Sequence, residues 1–158
     1  MNGERDELWD GGAPADGPED AVGPAAQDGP AGTGGVPRNA AAARDAVTRL
    51  LEAQFCGLGG EGPADVVVAD ALLVTSELVT NAVRHGGGLT GFRAEIIGDG
   101  LLLTVTDAST RPPVTTERDP AAAPDGGYGW LLVRRLAKRV AITYLPDGKH
   151  IVALVALV

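Results

Sequence analysis

Glu77-Leu78-Val79-Thr80-Asn81-Ala82-Val83-Arg84-His85-Gly86 is the stretch on which the reading of this chain turns. Pro63 precedes it and Gly86-Gly87-Gly88 closes it, so a helix is expected from Ala64 to about His85. Spacing i, i+4 places the Glu77 carboxylate and the Asn81 carboxamide on one face, with Arg84 one turn further along. An apolar stripe of Val68, Leu72, Val79 and Val83 is expected on the other side, so the polar pair is held over a core. A carboxamide oxygen is a neutral ligand suited to Mg²⁺, which keeps several waters and borrows phosphate oxygens. A carboxylate one turn away is placed to accept a proton from a hydroxyl, or to orient it. Taken alone, Glu-x-x-x-Asn reads first as a solvated helix face.

Upstream, Asn39 is a plausible N-cap for a helix from Ala40 to Phe55, with Ala43, Val47, Leu50, Leu51 and Gln54 at helical spacing. Gly57, Gly59 and Gly60 stop it. Downstream come strand-like runs Thr90–Ile97 and Leu101–Thr106, joined by Gly98-Asp99-Gly100 in a hairpin. Ala108 to Asp125 holds four prolines and little periodicity, the mark of a functional loop. A third helix is expected from Tyr128 or Gly129 to Arg139. Val140–Leu145 and Lys149–Val158 then form a second hairpin around Pro146-Asp147-Gly148. The order α-α-β-β-loop-α-β-β implies an α+β fold, helices layered on one largely antiparallel sheet.

Two further features sit along that order. Asp107 ends the apolar run Leu101–Thr106, a carboxylate with nothing obvious to accept from; an exocyclic amino group such as adenine's would suit it. It serves equally well as the cap of the turn Asp107-Ala108-Ser109. Gly126-Gly127-Tyr128-Gly129-Trp130 stands immediately before a helix, where glycines allow close backbone approach and free N–H groups meet an anion. In a chain with 23 glycines a lone Gly-x-Gly also arises by chance.

Charge divides the chain. It carries 21 acidic and 13 basic residues, a net charge of −8, of which residues 1–38 supply −6 through eight acids against Arg5 and Arg38. These 38 residues also hold 9 of the 23 glycines and 5 of the 11 prolines, so residues 1–37 are expected to form a disordered arm. Leu8 and Trp9 are its only apolar pair of any size. Residues 38–158 form the folded unit, near neutral and large enough for a core. No basic block suits a phosphate backbone, so direct nucleic-acid binding is not expected. The longest uninterrupted apolar run, Ile151–Val158, is short of a membrane span, and the start of the chain does not read as a signal peptide. One cysteine, Cys56, excludes an internal disulfide and fits a reducing cytoplasm.

The helix with Glu77 and Asn81, the strand ending in Asp107, the long loop, the glycines and the helix occur in a fixed order. That order resembles the histidine-kinase-like ATPases, the GHKL superfamily built on the Bergerat fold. Glu77–Asn81 matches its N-box, Asp107 its first glycine-box aspartate, Gly127 and Gly129 its second glycine box, and the loop its ATP lid. The resemblance covers about Arg38–Val158, and the Glu77–Gly86 stretch looks most like the small stand-alone bacterial branch of anti-sigma-factor serine/threonine kinases and related ATP-binding regulators. It implies a two-layer fold on one mixed, largely antiparallel sheet, with ATP and Mg²⁺ as cofactors. It further implies that Asn81 holds Mg²⁺ on the triphosphate and Asp107 accepts the adenine amino group. Gly127, Gly129 and the helix N-terminus would support phosphates, and Glu77 would be the base for a seryl or threonyl hydroxyl. Arg111 or Arg118 in the lid would add positive charge, though each also reads as a surface residue, and His85 is given no catalytic role. Trp130 stands where a smaller aliphatic residue is commoner, which implies a reshaped phosphate end.

The implied partners are a small anti-sigma antagonist and a sigma factor as alternative client. A homodimer is also open, although Gly32–Pro37 makes a poor version of the strand that often dimerises such proteins. Set against the kinase are a non-catalytic ATP-binding interaction module and an α+β domain that binds no nucleotide.

Overall fold

The computed structural model describes residues 35–56, 62–113 and 128–158. The arm up to residue 34, Leu8 and Trp9 in it, lies outside the described residues, as do Gly57, Gly59, Gly60, Arg118, Gly127 and most of the long loop. Helix α1 spans Ala40–Cys56, α2 spans Asp65–His85 and α3 spans Gly129–Leu136. The strands are β1 (Leu89–Ile97), β2 (Gly100–Asp107), β3 (Arg139–Leu145) and β4 (Gly148–Ala156).

Local chemistry sets several of these limits. The Ala42 N–H donates to Asn39 Oδ1 at 2.9 Å, so Asn39 caps α1. Among residues 35–39 no strand precedes it. At the end of α2 the N–H groups of Gly86 and Gly88 both return to Ala82 O at 3.1 Å. Gly87 and Gly88 turn the chain with φ of 69° and 120°, which an L side chain resists. Helix α3 stops three residues earlier than its spacing predicts. Ala137 is already extended, and the Lys138 N–H donates to Leu154 O at 2.7 Å, which commits Arg139 to β3 instead.

The sheet runs β1-β2-β4-β3, and every pairing is antiparallel: two hairpins joined along a β2–β4 seam. On β2 the core-facing residues are Leu101, Leu103, Val105 and Asp107, and on β4 they are Lys149, Ile151, Ala153 and Val155. All three helices lie against that face, giving the expected two layers, with Ala43, Val47, Leu78, Val79, Trp130 and Val133 completing the core.

Helix α2 is the central one, touching α1, α3 and strands β1, β2 and β4. Its buried face is Ala71, Val74, Thr75, Leu78, Val79 and Ala82, and the Thr75 hydroxyl is satisfied by donating to Ala71 O at 2.8 Å. The stripe expected through Val83 is therefore rotated: Val83 is half exposed, and Val68 and Leu72 are only partly covered. Gln54 of α1 is likewise exposed. By length and composition α2 is apolar enough to cross a membrane, with a mean hydropathy of 1.6 over its best 18 residues. A search for unbroken apolar runs misses this because Asp70, Thr75 and Ser76 interrupt it. Packing against five other elements accounts for the composition as that of a core helix.

Candidate functional site

With Ala71, Val74, Leu78 and Ala82 turned inward, helical geometry turns Glu77, Asn81 and Arg84 the other way. Opposite them α3 begins, its Trp130 and Val133 buried in the core. Glu77, Thr80, Asn81, Arg84 and His85 from α2 face Tyr128, Gly129 and Leu132 across an open cleft of about 250 Å³. Trp130 is not part of this wall, so the bulky indole fills core and leaves the cleft to its neighbours.

Contact across the cleft is tight at one point. A Cβ on Gly129 would overlap Glu77 Oε2, so the carboxylate lies directly against the first residue of α3. Free N–H groups and a partial positive charge collect at such a helix start, which favours an anion there. One turn along α2, Asn81 Nδ2 is buried, and it has no hydrogen-bond partner among the described residues. An amide donor left so costs about 1–3 kcal/mol, a deficit that a ligand oxygen removes. Turned over, the same carboxamide offers its oxygen to a cation. No group of three His, Cys, Asp or Glu side chains among the described residues is arranged to hold a metal. A cation here would therefore rest on Asn81 and on oxygens of the ligand, as Mg²⁺ on a phosphate does.

Asp107 lies beyond this cleft, at the end of β2. The expectation that it has nothing to accept from is corrected by the structure. Lys149, its cross-strand partner on β4, sets Nζ 2.9 Å from both carboxylate oxygens. The Ser109 N–H donates to Oδ1 at 2.9 Å, which is the turn cap that the sequence also allowed. Nζ donates further to Ser109 O at 3.2 Å, and both charged side chains are under 5% exposed (4% and 3%). Gly86 joins this pair to the cleft. Its φ of −96° suits any residue, but a Cβ there would come within 2.6 Å of Asp107 Cγ and Oδ2.

Thus Glu77, Asn81 and Gly129 come together in one cleft, and Asp107 adjoins it through Gly86, roughly 13 Å along α2 from Glu77. Gly127 lies outside the described residues. Arg111 is exposed, and its backbone N–H donates to Ser109 Oγ at 3.1 Å. Sequence reasoning passed over Lys149, although the signal was present. Lys149 shares its alternation with Ile151, Ala153 and Val155, as Asp107 does with Leu101, Leu103 and Val105. Two opposite charges in the buried phase of adjacent strands call for each other.

A two-layer α+β sandwich whose central helix offers a carboxylate and an orphaned carboxamide to the start of another helix is the frame of a nucleotide-binding domain. The family model described as the histidine kinase-like ATPase domain matches residues 35–155, and the chain belongs to that family. ATP binding follows from membership, usually with Mg²⁺, and the donors found in the cleft fit both. A search of the curated proteins found no match.

Proposed function

We propose that this chain is a regulator of the anti-sigma-factor type, a serine/threonine protein kinase that moves the γ-phosphoryl group of ATP to a partner protein. The observation that carries the reading is the Glu77 carboxylate seated against Gly129 and one helical turn from the orphaned amide of Asn81. Bound Mg-ATP supplies the transferable group and the charge that screens it. The protein then has little covalent chemistry to perform and acts by positioning. Asn81 would hold the metal through its carboxamide oxygen. The first turn of α3, starting at Gly129, would receive phosphate oxygens, with Gly127 assigned to them by the family pattern alone, and Arg84 at the rim would add positive charge. Glu77 Oε2 takes the proton of a seryl or threonyl hydroxyl presented at the open side of the cleft. A small anti-sigma antagonist is the proposed client, a sigma factor the other, in a cytoplasmic setting; a homodimer would present two such clefts.

The test is Glu77→Ala, followed by titration with Mg-ATP and by transfer of labelled phosphate to the client. Binding is expected to persist while transfer falls by about 10²–10⁴-fold, the usual contribution of a positioned base. Equal transfer by variant and wild type removes Glu77 from the chemistry. Binding with no transfer by either leaves a non-catalytic ATP-dependent interaction module. No heat at millimolar nucleotide ends the ATP reading itself.

A further inference from the structure

Two features of the chain have no part in nucleotide binding, and they are opposite in charge. The first is the outward stripe of α3. Trp130 and Val133 turn into the core, so helical spacing sets Leu131, Arg134 and Arg135 away from it, and Lys138 follows in the same phase just past the helix end. All four are exposed, and so is Arg139 at the start of β3, which puts four cations in six residues. Among the described residues none of these cations has a carboxylate within salt-bridge distance; the ion pairs there are Arg93–Glu95 and Asp107–Lys149. Leu131 is 42% exposed and Tyr128, one turn before it, 48%, so the stripe ends on an apolar patch. The second feature is Glu4-Arg5-Asp6-Glu7-Leu8-Trp9-Asp10, four acids and one base around the only apolar pair of any size in the arm.

We infer that the Glu4–Asp10 segment docks on this stripe of the same chain, its acids against Arg134, Arg135 and Lys138, and Leu8 with Trp9 against Leu131 and Tyr128. The charges match: four acids less Arg5 give −3, and the three cations of the stripe give +3. An indole adds a face for a neighbouring guanidinium to its apolar area, the combination that favours Trp and Arg at the centre of a contact. Reach is sufficient. The described chain starts at Gly35, just ahead of α1, which packs on α2 and on β1 at one edge of the sheet, while α3 packs on α2 and on β3 at the other edge. Two helix-to-helix spacings set α1 and α3 about 16–20 Å apart. Residues 11–34 separate the segment from Gly35, and a Gly-rich connection of that length spans about 25–30 Å. Tethering at such a range gives an effective concentration near the millimolar level, so a segment with a Kd of about 1 mM is docked about half of the time. Of the residues lining the cleft only Tyr128 belongs to the patch, so the docked segment borders the nucleotide site without filling it. None of the residues involved is assigned to the nucleotide, and the docking is independent of that reading.

The experiment is nuclear magnetic resonance of the backbone amides and of the Trp9 indole N–H on the full chain at about 0.01 M salt, where the Debye length is about 30 Å. Wild type is compared with Leu8→Ala/Trp9→Ala, whose loss of one indole signal assigns that of Trp9. The arm variant is expected to move the amide signals of Leu131, Arg134, Arg135 and Lys138 and to leave those of α1 and β1 in place. In wild type the Trp9 indole signal is expected away from its position in a free Glu4–Asp10 peptide. It should return there in about 1 M salt, where the Debye length is about 3 Å, and in Arg134→Glu/Arg135→Glu. No movement along α3 in the arm variant overturns the inference, and so does movement confined to the cleft or to another face. A Trp9 signal that shifts with protein concentration overturns docking within one chain and assigns the segment to a second copy. Reversal of the two arginines that leaves Trp9 unmoved overturns the charge match. Should the arginine variant fail to fold, the arm variant, which alters no core residue, decides alone.

Discussion

Glycines at two positions in this domain are defined by the carboxylates that they touch. Gly129 leaves space for Glu77, and Gly86 leaves space for Asp107. A methyl group added at either position tests a different property. Gly129→Ala forces the Glu77 side chain off the α3 N-terminus, so phosphotransfer is expected to fall by about 100-fold while the chain stays folded. Transfer to the client, measured with far-ultraviolet circular dichroism on the same sample, checks this; unchanged transfer would mean that the Glu77–Gly129 contact is incidental. Gly86→Ala meets the Asp107 carboxylate at 2.6 Å and Ala82 O at 2.7 Å, one held by an ion pair and the other by helix backbone. Neither gives way cheaply. A loss of about 1–3 kcal/mol in stability is expected from urea titration, the range for forcing a methyl into a packed site.

At the scale of elements, α2 carries both the core and the chemistry, and its phase decides which residue does which. Leu78 is fully buried and Val83 half exposed, although the two look interchangeable in the sequence. Leu78→Ala is expected to cost about 2–5 kcal/mol and Val83→Ala to stay within about 0.5 kcal/mol, read from denaturant midpoints. Similar losses at both would restore the stripe that spacing alone suggests. That stripe was misplaced because a helix covered from several directions buries a broad arc, and an arc has no single best line of apolar residues. The existence and order of all seven elements were legible, because glycines, the Asn39 cap and the two-residue alternation of the strands are local signals. The end of α3 was not legible. It is set by the Lys138 N–H reaching Leu154 O, a bond between residues distant in sequence.

Across the whole molecule, charge and working parts are separated. Residues 1–34 hold eight acids and Arg5, so they supply −7 of the net −8 and residues 35–158 carry −1. Deleting residues 1–34 is expected to leave the melting temperature within about 3 °C. At low ionic strength the deletion should tighten Mg-ATP binding, because a large negative charge repels the nucleotide. That gain should vanish near 0.15 M salt, where the Debye length is about 8 Å. A gain that survives physiological salt would show a short-range contact between arm and site instead. The candidate site was legible in its residues and not in its pairing. Glu77 and Asn81 stood out by their spacing and Gly129 only through the family resemblance, whereas the partnership of Asp107 with Lys149 needed the β2–β4 register to bring them opposite.

That partnership also bears on how such a domain diversifies. Lys149 Nζ holds Ser109 O, and Tyr128 stands at the cap of α3, so the chain leaves and re-enters the scaffold at two anchored points. Lengthening the stretch between them costs only about 0.6 kcal/mol for each doubling. Changes of length there are therefore cheap in stability, while the β2–β4 seam below admits none without breaking its register. A lineage can therefore vary the length of this one connection and keep the sheet and the helices as inherited.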